Sequence, residues 1–165
     1  MPDGPRYDDD FYAWTQYQAE VLRTMRRADN RLDRANLAEE IEDLGKSARN
    51  AVRSQVRRIV EHLLKLGYSP SDEPRHSWMR SIAEARASLR DELSPTLLRD
   101  LESMLPILYR DGRRQAVLGL QEHGEHDVAA SLAAACPYTI DQIVADEWYP
   151  ERPTDLRRPS LGAEA

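Results

Sequence analysis

Residues 34–67 have the sequence RANLAEEIEDLGKSARNAVRSQVRRIVEHLLKLG, in which apolar side chains recur every three or four positions. That spacing is typical of a helix with one buried face. At 1.5 Å per residue, an unbroken helix of this length would measure about 50 Å and would form the centre of the fold. The predicted buried positions are Leu37, Ile41, Leu44, Ala48, Val52, Val56, Ile59 or Val60, Leu63 and Leu66.

Gly45 is the one residue that interrupts this pattern, because a glycine in a helix interior costs roughly 1 kcal/mol relative to alanine. It therefore indicates either a kink or the close approach of a neighbouring helix. The alternative is two helices that meet near Gly45. Asp33 is suited to cap the start of the helix, since its carboxylate can accept a hydrogen bond from a free backbone N–H.

The remainder of the chain is also predicted to be helical. Asp8 or Asp9 is expected to cap a helix that extends to about residue 28. Further helices are expected at 75–92, from Pro95 towards Gly124, at 127–135 and at 139–148. Pro106 should kink or split the helix that begins at Pro95, because proline lacks the N–H that an interior helical position uses.

No segment shows the sustained alternation of apolar and polar residues that a strand requires, so strands are expected to be absent. The predicted fold class is all-α: a compact helical bundle built around one long helix, kinked or straight at Gly45. We expect a flexible arm over residues 1–7, a single helical domain over 8–149 and a flexible tail over 150–165.

The composition limits the classes of function. The chain has 165 residues, of which 32% are charged, and a net charge of -6, which disfavours nucleic-acid binding driven by phosphate contacts. A single cysteine, Cys136, excludes an internal disulfide and fits a reducing cytoplasm. The acidic N-terminus does not have the pattern of a secretory signal, and no apolar run reaches the ~20 residues of a membrane span. We therefore predict a soluble, cytoplasmic protein without membrane partners.

Five segments, taken in order, resemble the bacterial family catalogued as domain of unknown function 29. They are YDDDFYAWTQYQAEVLR, LDRANLAEEIEDLGKS, HLLKLGYSP, SWMRSIAEAR and CPYTIDQIVADEWYP. The resemblance covers about residues 7 to 150, and several blocks in order are more specific than one short motif. It implies a compact helical fold and no assigned activity.

Two groups of side chains could form a binding site. Glu39, Glu40 and Asp43 belong to a run of carboxylates on the long helix, and helical bundles do build metal sites from glutamates and histidines on facing helices. His62 lies beside the apolar face of the same helix. The alternative explanation is that acidic residues near a helix start favour its dipole and keep the exposed face hydrated. In one straight helix, Glu40 and His62 would be about 33 Å apart, so a shared site would need a fold-back at Gly45 or a second subunit.

Trp78 and Arg86, which follow a polar loop, are a second candidate binding pair, for an anion. A tryptophan at such a position is more often part of the core. The sequence specifies no metal and no cofactor, and none is assigned.

A third pattern is the separation of charge along the long helix. Arg49, Arg53 and Arg57 are spaced by four residues, with Lys46 before them, so the helix is acidic in its first third and basic in its middle. Such a helix could pair antiparallel with a second copy of itself, acid against base. The alternative is a hydrated surface.

The preferred hypothesis is a non-enzymatic interaction or regulatory domain that forms a homodimer or binds an unidentified protein or small molecule. A metal-dependent enzyme using the Glu, Asp and His residues is the main alternative. A nucleic-acid contact on the arginine face is a weaker one.

Overall fold

Six helices make up the regular structure of residues 4–26 and 31–152, which are the residues that this computed structural model describes. In chain order they are α1 (Phe11–Thr24), α2 (Arg34–Tyr68), α3 (Arg75–Arg90), α4 (Pro95–Glu122), α5 (His126–Ser131) and α6 (Ile140–Val144). No strand occurs within these residues. The predicted all-α fold built around one long helix is confirmed.

The long helix α2 is continuous through Gly45. Asp33 caps its start and accepts a hydrogen bond from the backbone N–H of Asn36 at 3.3 Å. A Cβ atom at position 45 would have no room beside the Thr15 hydroxyl of α1. Of the predicted alternatives for Gly45, the structure therefore shows the close approach of a neighbouring helix, and two separate helices are not formed.

The core of the molecule surrounds the C-terminal half of α2. Side chains from α3, α4 and α6 pack against it, among them Ile82, Leu101 and Ile143, each 0% exposed. The residues of α2 in this cluster are at most 1% exposed, and they are Val52, Val56, Ile59, Val60, Leu63, Leu64 and Leu66.

The N-terminal half of α2 is covered by α1 alone, through small residues. Thr15 and Ala19 are the fully buried residues of α1, and they face Ala38 and Gly45 of α2. The prediction that Leu37 and Leu44 lie on a buried stripe is wrong, because they are 39% and 56% exposed. Close packing of two backbones leaves larger side chains at the edges of the contact, where no third helix covers them.

Several predicted helix ends differ from the structure. Asp10, and not Asp8 or Asp9, caps α1, where its carboxylate accepts from Ala13 N at 2.9 Å. Pro106 does not split α4, because it lies on an exposed side of the helix where the unbonded carbonyl can meet solvent. The predicted helices at 127–135 and 139–148 are shorter, since α5 ends at Ser131 and α6 at Val144.

The predicted flanking segments are only partly within the described residues. Positions 1–3, 27–30 and 153–165 lie outside them, and these include the predicted end of the first helix. Tyr7, in the predicted arm, packs edge-on against the rings of Phe11 and Trp14 at 5.3 and 4.9 Å. Arg152, in the predicted tail, donates to Pro70 O at 3.3 Å and pairs with Asp72 at 2.6 Å.

Candidate interaction site on the long helix

The run of carboxylates near the start of α2 divides into two groups. Glu42 pairs with Arg23 of α1 and with Lys46, and Lys46 also contacts Asp43 at 3.0 Å. Hydrogen bonds from Arg23 and Lys46 hold the pKa of Glu42 below its usual value. Glu39 and Glu40 are exposed, and within residues 4–26 and 31–152 neither forms an ion pair. The second group is therefore free to meet a partner.

His62 lies far from these carboxylates. It is 22 residues from Glu40 along an uninterrupted helix, a distance of about 33 Å. Its Nδ1 atom is buried without a hydrogen-bond partner in the described structure, and burial lowers the pKa of His62 to about 4. The structure does not bring Glu40 and His62 together. In the described ranges, no three His, Cys, Asp or Glu side chains are placed to hold a metal ion.

Trp78 and Arg86 are both buried, at 8% and 2% exposure. The Arg86 guanidinium donates to three backbone carbonyls around the end of α6, those of Gln142, Ile143 and Asp146, at 3.0, 2.9 and 3.3 Å. It also lies 5.2 Å from the ring centre of Tyr149. Burial lowers the pKa of Arg86. All of these contacts hold the C-terminal segment against α3, so neither side chain is open to an incoming anion.

The arginines predicted to form one series fall into two groups, those that contact other helices and one that stays exposed. Arg49 donates to the hydroxyl of Tyr12 at 3.1 Å, and Arg53 donates to Asp100 at 2.7 Å. These two arginines therefore join α2 to α1 and α4. Arg57 stays exposed, and in the described part of the chain it has no ion-pair partner. Its neighbour Arg58 is also exposed and makes two long contacts with α3, to Glu84 at 3.4 Å and to Ser81 Oγ at 3.5 Å.

Glu39 and Glu40 share one exposed face of α2 with Arg57 and Arg58. Glu39 and Arg57 are separated by 18 residues, and so are Glu40 and Arg58. Eighteen residues at about 100° each make five full turns, so each pair lies on one line along the helix, about 27 Å apart. Between the two ends the face carries the exposed ion pair of Asp43 with Lys46 and a set of short exposed side chains, which are Ser47, Asn50, Ala51 and Ser54, with the exposed Leu44 beside them.

A cleft between α2 and α4 extends the basic end of this face. Its volume is about 390 Å³, and Arg114 of α4 lines it together with Arg57 and Arg58. Two acids in its wall are already neutralised, because Glu61 pairs with Lys65 at 2.6 Å and Asp111 pairs with Arg110 at 3.1 Å. Arg57 and Arg114 therefore carry positive charge that no ion pair within the described residues offsets, although the whole chain is acidic.

Arg58 and Arg114 of this cleft were not among the residues predicted from the sequence. Arg58 could have been found from its 18-residue spacing to Glu40. It was overlooked because it does not fit the four-residue spacing of Arg49, Arg53 and Arg57. Arg114 could not have been found, because its place beside Arg57 depends on how α4 lies on α2. That packing is close at Gly112, where a Cβ atom would come within 2.8 Å of the Arg57 carbonyl oxygen.

Fold and surface together define a class of protein. It is an all-α domain whose most distinctive surface is a charged helix face, and within the described ranges no helix is long and apolar enough to cross a bilayer. The family described as Domain of unknown function DUF29 matches residues 6–149. The chain therefore belongs to the DUF29 family.

A solved structure supports the same fold. The crystal structure of an alpha-helical protein of unknown function from Rhodospirillum rubrum, at 1.45 Å resolution, superimposes with a TM-score of 0.79. The two sequences are 25% identical, and the match covers 88% of this chain and 93% of the other. No curated protein matches this sequence.

Proposed function

We propose that this chain is a non-enzymatic interaction domain that self-associates through the exposed face of α2. The observation that carries the proposal is the pair of equal spacings, Glu39 to Arg57 and Glu40 to Arg58, on side chains without strong partners of their own. A two-fold axis midway along the face, at about residues 48–49, would place each acid opposite an arginine of the second copy. One surface then serves both partners, as a symmetric dimer requires.

The antiparallel arrangement is also compatible with the side chains between the charged ends. In an antiparallel pair related by a two-fold axis, each long edge of the α2 face lies beside the same edge of the second copy. Glu40 would then meet Arg58 of the second copy on one flank, and Glu39 would meet Arg57 on the other. Short side chains at the centre, such as Ser47 and Ala51, allow the two helices to approach closely. Leu44, 56% exposed in the monomer, would pack against the small residues of the second copy.

The expected association is weak. Exposed ion pairs contribute roughly 0.2–1 kcal/mol each, and much of that is lost at high salt. Burial of two Leu44 side chains adds a modest apolar contribution. We expect a dissociation constant on the order of 10–100 μM at low ionic strength, a range that suits a regulatory contact better than a permanent one.

Two further parts of the proposal, a non-enzymatic role and a cytoplasmic location, have support of their own. A non-enzymatic role is supported by the dispersal of the candidate catalytic residues, since Glu40 and His62 lie at opposite ends of α2. A cytoplasmic location is supported by the lone thiol of Cys136, which would remain reduced there.

Charge reversal provides a sharp test, with sedimentation or light scattering as the measurement. At low salt and high micromolar concentration, wild type should approach twice its monomer mass of 18.9 kDa. Glu40→Arg and Arg58→Glu should each remain monomeric, because each places like charges opposite one another twice. An equimolar mixture of the two variants should form a heterodimer, and the double variant E40R/R58E should again self-associate.

Leu44→Glu should also give a monomer, with Leu118→Glu as its matched control, since Leu118 is similarly exposed at 47% but lies on α4. Circular dichroism should show the same helix content for all variants. A monomeric wild type throughout this range would refute self-association. Failure of the mixed variants to associate would refute the antiparallel arrangement.

A further inference from the structure

A second concave surface lies on the opposite side of α1 from the Arg23–Glu42 ion pair. It is a pocket of about 400 Å³ between the start of α1, the middle of α2 and the connection from α3 to α4. Aromatic rings form one wall, those of Tyr7, Phe11 and Tyr12. The Tyr7 ring is 56% exposed, yet its edge-to-face contact with Phe11 gives it a defined position. Arg49 already lies over the Tyr12 ring, 5.6 Å from its centre, so a ligand would meet the rings of Tyr7 and Phe11.

The opposite rim of the pocket is acidic. Asp91 and Glu92 line it, and both are exposed. Within residues 4–26 and 31–152, neither carboxylate has an ion-pair partner. Asp91 is also the C-terminal cap of α3, where the helix dipole adds further negative charge. Within the described residues, no ion pair therefore neutralises this rim.

A third carboxylate fixes the shape of the pocket. Asp10 caps α1 and also accepts hydrogen bonds from Ser94 Oγ at 2.9 Å and Thr96 N at 3.1 Å, so it ties the start of α1 to the start of α4. Burial alone would raise the pKa of Asp10, but the hydrogen bonds from Ala13, Thr96 and Ser94 outweigh it and lower that pKa. The aromatic wall and the acidic rim are thereby held at a set separation.

We propose that this pocket binds an organic cation, an ammonium group that carries short alkyl substituents. Aromatic faces attract such a group by electrostatics and shield its alkyl surface from water, and the acidic rim supplies the opposite charge. A bare metal ion would fit less well, because it would need several oxygen ligands converging at short distances. The floor of the pocket, Ala48 and Leu97, is apolar and suits the alkyl groups. This inference concerns the monomer, in which a single chain supplies every wall, because Ser47 and Ala51 also lie on the α2 face that self-association would cover.

The test uses choline as the probe and its neutral carbon isostere, 3,3-dimethylbutan-1-ol, as the ligand control. Amide chemical-shift titration at low ionic strength measures the dissociation constant and locates the site. Choline should bind in the millimolar range and shift resonances around Tyr7 and Asp91, while the isostere should bind about tenfold more weakly. The titration uses the E40R variant, which is expected to be monomeric, so that self-association through Ser47 and Ala51 does not compete with the ligand.

Variants then separate the two walls. Tyr7→Ala and the double variant D91N/E92Q should each weaken choline binding by about tenfold. The double variant E122Q/D127N, which neutralises two exposed acids at the end of α4 and in α5, should bind choline with unchanged affinity. Equal affinity for choline and the isostere would overturn the proposal, as would an equal loss in the control variant. Absence of any shift up to tens of millimolar choline would also overturn it.

Discussion

The two halves of α2 carry the same apolar periodicity but lie in different surroundings. In the C-terminal half, residues such as Leu63 are completely buried beneath three other helices. In the N-terminal half, only α1 covers the helix, and Leu44 remains 56% exposed. Periodicity therefore determines that a helix forms and which side is apolar, but the elements available nearby determine how much of that side is covered.

The largest expected effect concerns this contrast directly. Leu63→Ala should lower the free energy of unfolding by about 3–4 kcal/mol, because it leaves a cavity in a close-packed core. Leu44→Ala should lower it by less than about 0.5 kcal/mol in dilute protein, where the side chain is half in water. Urea unfolding at low micromolar concentration measures both. Similar losses would mean that the two halves are equally well packed.

A somewhat smaller loss is expected at Arg86. Arg86→Lys should cost about 3 kcal/mol, because an ammonium group cannot reach three carbonyls around α6 and leaves buried acceptors unpaired. The matched control is Arg90→Lys, which alters an exposed pair with Asp146 at 2.7 Å and should cost less than about 0.5 kcal/mol. Thermal unfolding followed by circular dichroism compares the two. A tolerated Arg86→Lys would show that the C-terminal segment is held by other contacts.

The crossing of α1 and α2 should respond to Gly45→Ala with a loss of about 2 kcal/mol. The gain in helix propensity of roughly 1 kcal/mol is smaller than the cost of separating two helices in contact. The double variant T15A/G45A removes the group that the new methyl would meet, and it should be more stable than G45A alone. A double-mutant cycle in urea gives the coupling between the two sites. A stabilising G45A would indicate that the crossing can relax.

The smallest effect is a pH dependence from His62. Its pKa in the folded protein is about 4, below the ordinary value of 6.5, so the unfolded chain binds a proton that the folded chain excludes in this interval. Stability should therefore fall as the pH is lowered from 6.5 towards 4. We expect the free energy of unfolding to fall by about 1 kcal/mol over this interval, since the ring is only partly shielded from water. His62→Gln should reduce the difference in unfolding free energy between pH 7 and pH 5. An unchanged difference would contradict a neutral, buried imidazole.

Much of the fold could be predicted from local chemistry. The 34–67 prediction agrees closely with α2, because capping by Asp33 and one uninterrupted apolar period are properties of the chain itself. The exposure of Leu37 and Leu44 could not be predicted, since it depends on Thr15 and Ala19 bringing two backbones close together. Pro106 was expected to disrupt α4, and only its exposed position in the packed structure explains why the helix continues.

The candidate site was less accessible to sequence reasoning. Charge separation along α2 was visible, and it led to the antiparallel arrangement that remains a proposal. The burial of Arg86 depends on contacts with residues 142–149, more than 50 positions away, and no local pattern indicates it. Trp78 was predicted to form a binding pair with Arg86, with a place in the core as the alternative, and at 8% exposure it packs in the core.

Several side chains of this protein donate hydrogen bonds to backbone carbonyls, and the two kinds of position differ in which substitutions they tolerate. Arg86 donates to backbone carbonyls of the C-terminal segment, Tyr109 and Arg113 both donate to that of Ala133, and Tyr138 donates to that of Leu63. Every amino acid carries a carbonyl, so the accepting positions can change identity without losing these bonds, whereas the donating positions cannot. Saturation mutagenesis should therefore find the arginines and tyrosines intolerant to replacement, and acceptors such as the half-buried Ala133 and the exposed Asp146 permissive.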